Sequence, residues 1–508
     1  MTRSTLLLAV AVLAAPATLQ GQDWTLPSVP QSLSLREAVE MAARYNPALR
    51  QASNDRGEAL WGVRNAYAAF LPYVSLTGGL GYTGAGSQNF FGSISFEQPS
   101  STVGSSYNLG LSMTLSGRTL MQPGLAVAQL RATDATIESS EINLEAAVRQ
   151  QYLAVLRAQA QADAAEIQVR RNDEFLNLAR ARYEVGQNTM LDVRQAEVAL
   201  GQARVALLQN RQMVTVEKLR LFQQLGVPAP DEPATVMLTD TFPVVEPSWG
   251  LSDLLADAQE RNPDLVALRA QHSAAGANER AVKSDWLPSL SFSAGWSGYT
   301  QQFTNATPYI NNSVTGAQNS AAANIMACNF QNEIIAGLAT PTVDPLDCSS
   351  YVFTAEDEQE LRDALSGQNS VFPFDFTRQP FSARLGVSLP IFTQFSRPLR
   401  VAQASAQADD AREAVRAREL AVRTAVSQAY YALEVAHEAI GIQEQNRTAA
   451  NEGLRLATER YRVGSGTFFE LLDAQLAAQN AERDHINAIY AYHQAIATLE
   501  AAVGRPLR

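Results

Sequence analysis

The chain has 508 residues, a net charge of −12 and a charged share of only 18%. That acidity excludes a nucleic-acid binder, which needs a basic face to meet phosphate. Two cysteines, Cys328 and Cys348, share one polar stretch. A local disulfide formed in an oxidising compartment is expected there, with two free thiols as the alternative.

Residues 1–21 read as a signal peptide. Arg3 supplies the positive start, Leu6 to Ala15 the short apolar core, and Ala15-Pro16-Ala17 the small residues before cleavage, after Ala17 or near Gly21. With no cysteine near that point, lipidation is not expected. No later stretch reaches the roughly 18–20 apolar residues of a transmembrane helix. An exported chain of this kind must cross a membrane, if it does, by strands.

The first repeat spans 22–228. A helix is predicted from Leu33 to Phe70, capped by Ser34 with Glu37 and broken at Asn46-Pro47, because the residue before proline avoids the helical region. A strand follows, with Val74, Leu76, Leu80 and Tyr82 alternating against Ser75, Thr77, Gly79 and Gly81. After a Gly/Ser/Asn-rich loop at about 84–106, a second strand sets Tyr107, Leu109, Leu111, Met113 and Leu115 against small polar residues. A helix predicted from Pro123 to Glu184 would be a rod of about 90 Å. A return helix runs from Thr189 to Leu225, and a proline-rich linker occupies 229–249.

The second repeat, 250–508, follows the same plan. Asn262-Pro263 and Leu287-Pro288 match Asn46-Pro47 and Leu71-Pro72, each 216 positions later. Strands are predicted at 289–297 and 381–389, separated by a long exposed loop at about 300–380. Helices follow at 398–462 and 467–503. The pattern is a tandem duplication of helix, strand, strand, long helix, helix.

Between the paired helices lies a motif that occurs twice. Arg182-Tyr183-Glu184-Val185-Gly186-Gln187-Asn188-Thr189-Met190-Leu191-Asp192 and Arg460-Tyr461-Arg462-Val463-Gly464-Ser465-Gly466-Thr467-Phe468-Phe469-Glu470 both read Arg-Tyr-x-Val-Gly-x-x-Thr-x-x-acid. Glycine just past one helix and threonine before the next are stop and start signals. Each motif is read as the tip of a helical hairpin.

The four strands have the length and alternation of tilted membrane strands. Open sheet edges cannot sit in lipid, and four strands cannot close a barrel, so copies of the chain must share one. Two copies would give eight strands without a pore and three would give twelve with a lumen, the small lumen-facing residues favouring the latter. Phe70, Tyr73, Tyr82, Trp286, Tyr299 and Phe392 suit interfacial girdles. Alanine-rich rods such as Ala196, Ala199, Ala203 and their counterparts Ala474, Ala477, Ala481 permit close helix approach.

An enzyme is not expected. His272, His437, His485 and His493 are scattered without metal-pair spacing, and no nucleophile elbow, Walker loop or dinucleotide glycine run occurs. Neither a cofactor nor a metal is expected. Glu470 and Asp473 lie three apart on one helix face. Alone they are a solvated face; in a symmetric oligomer they would be stacked acidic rings that favour cations.

These features together resemble the TolC-type outer-membrane efflux channels, over the whole mature chain. The resemblance implies a mixed α and β membrane protein. A transmembrane β-barrel completed by trimerisation, four strands per chain, would continue into a long α-helical coiled-coil barrel in the periplasm. It implies no catalysis, and partners in a periplasmic adaptor, an inner-membrane transporter and outer-membrane lipid. The duct would serve drug, metal or protein export, type I secretion included; a non-conducting envelope-spanning scaffold is the alternative. The resemblance carries specific residues over. Glu470 and Asp473 fall on the entrance constriction, Tyr461 and Asp192 on the latch of the closed state. Val185, Gly186, Val463 and Gly464 fall on the tips that receive the adaptor. Gly466 stands where the best-known members carry an arginine.

Overall fold

A computed structural model of the chain describes residues 29–507 apart from 91–93, 99 and 338–342. The leader expected over 1–21 lies outside the described residues. The elements are, in order, β1 (Ser32–Leu33), α1 (Leu35–Tyr45), α2 (Pro47–Ala68), β2 (Tyr73–Thr83), β3 (Gly86–Phe90), β4 (Ile94–Gln98), β5 (Thr102–Leu115), α3 (Gly117–Glu184), α4 (Met190–Leu225) and β6 (Met237–Leu238). Then come α5 (Leu251–Arg261), α6 (Pro263–Lys283), β7 (Ser289–Phe303), α7 (Thr307–Ala336), α8 (Ala355–Gln368), β8 (Thr377–Arg378), β9 (Ser382–Ser388), α9 (Ser396–Arg462) and α10 (Phe468–Val503). They fall into two compact units, one holding Gly124–Glu279 and the other Arg280–Arg400.

The helical unit carries its core at positions that correspond between the two halves. Around α3 and α4 the buried residues include Val148, Tyr152, Val155, Leu221 and Leu225. Around α9 and α10 they include Val426, Leu433, Leu499 and Val503, with Tyr430 packed against them. Each of these lies 278 positions beyond its partner in the first set. The Asn-Pro breaks do two jobs at once. Asn46 Oδ1 caps α2 by accepting from the Ala48 and Leu49 amides (2.9 and 3.2 Å), and its Nδ2 donates to the Gln224 carbonyl at the end of α4 (2.7 Å). Asn262 repeats this, accepting from Leu265 N at 3.1 Å and donating to Ala502 O at 2.9 Å. Orphan groups of two helix ends are thereby satisfied by one side chain. Gly226, at φ 74°, ends α4 so close to α1 that a Cβ there would lie 2.4 Å from the Tyr45 carbonyl.

The strand unit is a sheet in the order β2-β5-β7-β9, all antiparallel, with β8 also on β7. β8 and β9 flank the same side of β7 and are separated around Pro380, which has no N–H for the ladder. The register aligns like with like. Leu76, Leu109 and Trp296 form one row, Val74, Leu111, Ala294 and Ala383 the next, then Met113, Phe292 and Leu385, then Leu115, Leu290 and Val387. The intervening rows are Ser75, Gly110, Gly295 and Ser382, then Tyr73, Ser112, Ser293 and Arg384, then Thr114, Ser291 and Gly386. One face is apolar and the other mostly small and polar, with Tyr73 and Arg384 its large residues in these rows. The apolar face is open to its surroundings, with Val387 74% and Leu385 67% exposed.

Three boundaries differ from expectation. α3 starts at Gly117 and carries Pro123 inside it, because Ser116 supplies an earlier cap: its Oγ accepts from Thr119 N at 3.2 Å. The stretch at 84–106 holds the β3–β4 hairpin and the first residues of β5 instead of an irregular loop. The segment at 300–380 is largely helical, containing α7 and α8. Its Asn-, Ser- and Ala-rich sequence lacks an apolar period, yet alanine is a strong helix former and Thr354 with Asp357 forms a capping box on α8. Cys328 on α7 and Cys348 are joined in a disulfide with a Cα–Cα distance of 5.8 Å.

Candidate functional site

The site is built where α3 turns into α4 and α9 turns into α10. The first tip closes on Gly186, at φ 74°, with Gln187 N donating to Arg182 O at 2.8 Å. The second closes on Gly464, at φ 82°, with Ser465 and Gly466 amides both donating to Arg460 O at 2.9 and 3.0 Å. Glycine takes that left-handed conformation without steric cost. Thr189 and Thr467 then cap the return helices, accepting from Asp192 N at 3.3 Å and Glu470 N at 3.2 Å.

The hairpins are packed on each other through Leu176, Ala179, Val193, Ala196, Leu200, Leu454, Tyr461, Phe468, Leu471 and Ala478. Tyr461 is the pivot. It is 2% exposed, and the Arg182 guanidinium lies over its ring at 4.8 Å. Arg182 Nη1 also donates to the Tyr461 carbonyl, and its Nε donates to Asn188 Oδ1 at 3.1 Å. Asn188 Nδ2 in turn donates to the Tyr461 hydroxyl. Burial, and then the nearby Asp192 charge, push the Tyr461 phenol above its ordinary pKa, although Asn188 and Arg182 pull the other way. Arg182 and Asn188 therefore tie the two hairpins at three points, all on Tyr461.

The expected latch pair meets only at a distance. The Tyr461 hydroxyl is bonded to Asn188, and the Asp192 carboxylate is committed to a capping box, accepting from Thr189 N at 3.1 Å. Arg182 and Asn188 were not singled out from sequence. The signal available was an arginine preceding the tyrosine at both tips, which propensity cannot rank as buried or exposed.

Glu470 and Asp473 are both exposed at the start of α10. Glu470 is paired with Arg460 at 3.4 Å. A turn further on, Gln475 is buried and donates to Asn172 Oδ1 of α3 at 2.7 Å. Val185 and Val463 project from the turns, 68% and 75% exposed, beside the glycines that shape them. Cys328 and Cys348 belong to the strand unit, away from the tips in sequence. Among the described residues no group of acids, histidines or cysteines is gathered as a metal site.

The family model for outer membrane efflux proteins matches residues 38–227 and 360–505. The chain belongs to the outer membrane efflux protein family. As a member of this family it is an outer-membrane protein, and the resemblance read from its motifs is to the right group. This efflux-family chain is 28% identical over 267 residues to the probable efflux pump outer membrane protein TtgC of Pseudomonas putida, over 51% of the chain and 53% of that protein. It is 24% identical over 326 residues to the outer membrane efflux protein BepC of Brucella suis, over 63% and 55%. The chain spans about half the length of the curated relatives it matches. Its fold is that of the outer membrane protein VceC of Vibrio cholerae, with a TM-score of 0.66 at 16% identity over 93% of this chain and 97% of that one.

Proposed function

We propose that three copies of this chain form an export duct through the outer membrane, entered at the helical tips from the periplasm. The observation that carries this reading is the sheet of β2, β5, β7 and the interrupted β8 and β9. Its outer strands β2 and β9 each have one unpaired edge among the described residues, and its apolar face is exposed. Lipid tolerates the face but not the edges, so other copies complete the ladder. Three copies supply twelve strands, with the rows of Ser, Thr and Gly lining a wet lumen. The matching cores of the two helical halves support an origin by tandem duplication.

In that assembly the tips take the roles the resemblance implies. Glu470 and Asp473 line the entrance as acidic rings, and Tyr461 with Asp192 and Arg182 holds the inner hairpin shut. Val185, Gly186, Val463 and Gly464 meet a periplasmic adaptor, which joins the duct to an inner-membrane transporter. The names of the relatives point to small-molecule efflux as the service performed.

Planar-bilayer conductance tests this. The wild-type chain should conduct weakly and prefer cations, and Glu470→Ala with Asp473→Ala should raise conductance or abolish the preference. A conducting channel unchanged by the pair removes their gating role. A trimer that never conducts identifies the envelope-spanning scaffold instead.

A further inference from the structure

The two places where a strand feeds a long helix are built differently. β5 ends at Leu115 and α3 begins at Gly117, so one residue intervenes. Between β9 and α9 there are seven, 389–395. Those extra residues are mostly apolar and stand outward: Ile391 is 93% exposed, Phe392 72% and Phe395 73%. The turn that presents them is strained, because Gln394 and Phe395 take φ values of 52° and 60° without being glycine. Phe392 and Phe395 meet edge to face at 5.8 Å.

Arginines stand beside this turn. Arg397 lies over the Trp286 ring at 5.6 Å and donates to Pro390 O at 2.8 Å. Arg118 and Arg400 both approach Asp285 Oδ2, at 3.7 and 3.4 Å, with each guanidinium close to half exposed. One carboxylate thus gathers Arg118 and Arg400 next to the half-exposed Trp286, whose ring Arg397 covers. Neither long ion pair uses up the donors of its guanidinium. A bulky apolar knuckle, an indole and spare guanidinium donors beside one turn match a phospholipid, with acyl chain, interface and phosphate.

We propose that this collar binds phospholipid of the periplasmic leaflet, with Arg118 and Arg400 holding the headgroup phosphate and Ile391, Phe392 and Phe395 entering the acyl boundary. The proposal rests on the reading of β2, β5, β7 and β9 as membrane strands. It makes the second strand-to-helix junction an anchor that fixes the depth of the strands in the bilayer.

Tryptophan quenching by brominated lipids in vesicles holding the full-length chain tests it. The signal of Trp286 is the difference between wild type and Trp286→Phe, and Trp296 of β7 reports strand immersion. Trp286 should be quenched by brominated phosphatidylglycerol at a roughly twenty-fold lower mole fraction than by brominated phosphatidylcholine. Arg118→Gln with Arg400→Gln should remove that preference and leave Trp296 quenching intact. If that variant does not insert, the wild-type preference alone decides. Equal quenching by the two lipids overturns the proposal. So does reversal by excess inorganic phosphate, which would make the ligand a free anion. Trp286 silent beside a quenched Trp296 overturns it too, showing the collar covered by a neighbouring copy. Trp296 unquenched refutes the membrane reading itself.

Discussion

The tips at 182–192 and 460–470 share a motif, a left-handed glycine and a threonine cap, yet their equivalent residues are used in opposite ways. Arg182 is buried and clasps Tyr461, whereas Arg460 is exposed and pairs with Glu470. Tyr461 is sealed in the core between hairpins, whereas its counterpart Tyr183 is 42% exposed. Asp192 completes a capping box; Glu470, at the matching position, turns its carboxylate to Arg460 instead. A pattern duplicated in sequence has become asymmetric through packing. One tip supplies the clasp and the other is held by it. Such an arrangement leaves Glu470 exposed with Asp473, the placement the proposed acidic ring requires.

The largest effect expected from this asymmetry is at the arginines. Arg182→Ala removes a charge-assisted bond to a buried carbonyl and a contact over the Tyr461 ring, together about 3 kcal/mol. If that energy favours the closed tip, the open population rises by roughly a hundred-fold. Single-channel recordings should then show frequent opening. Arg460→Ala breaks an exposed pair with a value of about 0–1 kcal/mol and should leave the closed state nearly unchanged. Equal opening in the two variants would break the comparison.

Much of this molecule is legible from residues alone, and the parts that are not have a common cause. Period-two alternation locates the four strands, because one face meets apolar and the other polar surroundings, and the observed register keeps those faces aligned across the sheet. Asn46-Pro47 and Asn262-Pro263 announce their helix breaks through local backbone chemistry. The capping threonines are local as well. The burial of Arg182 and the Asn188–Tyr461 bond depend on contacts across 273 or more positions, and the motif is the same at both tips. The helical character of 307–336 was missed because α7 keeps much of its surface exposed, so no apolar stripe marks it. Strand ends such as Thr102 in β5 and Phe303 in β7 extend past the alternating stretch because they pair with each other across the ladder.

A smaller effect separates what the tips share from what they do not. Thr189→Ala and Thr467→Ala each remove a cap and should cost about 1 kcal/mol of local stability, equally. Hydrogen exchange of the first turns of α4 and α10 would show it. The acids should differ. Asp192→Ala loses the reciprocal half of a capping box and should loosen α4, while Glu470→Ala should leave the first turn of α10 protected. Matching protection changes would mean that Glu470 caps α10 after all.

The smallest effect is a dependence on alkaline pH confined to one tip. Tyr461 has its phenol pKa raised by burial first and by Asp192 second, so the folded tip holds the neutral form more firmly than the unfolded chain does. A raised pKa of this kind contributes stability that is fully present below the ordinary tyrosine value of about 10. It is lost as pH rises through the folded value, when the unfolded chain has already released its proton. The Arg182 bond to the Tyr461 carbonyl and its contact with the ring do not use the phenol proton, so the loss is partial. Conductance should therefore rise modestly above pH 10 in the wild type. Tyr461→Phe, which keeps the ring beneath Arg182 but has no proton to lose, should remove that rise, and Tyr183→Phe should not. If the rise survives in Tyr461→Phe, the alkaline opening belongs to another group and Tyr461 acts at this tip through its ring and carbonyl alone.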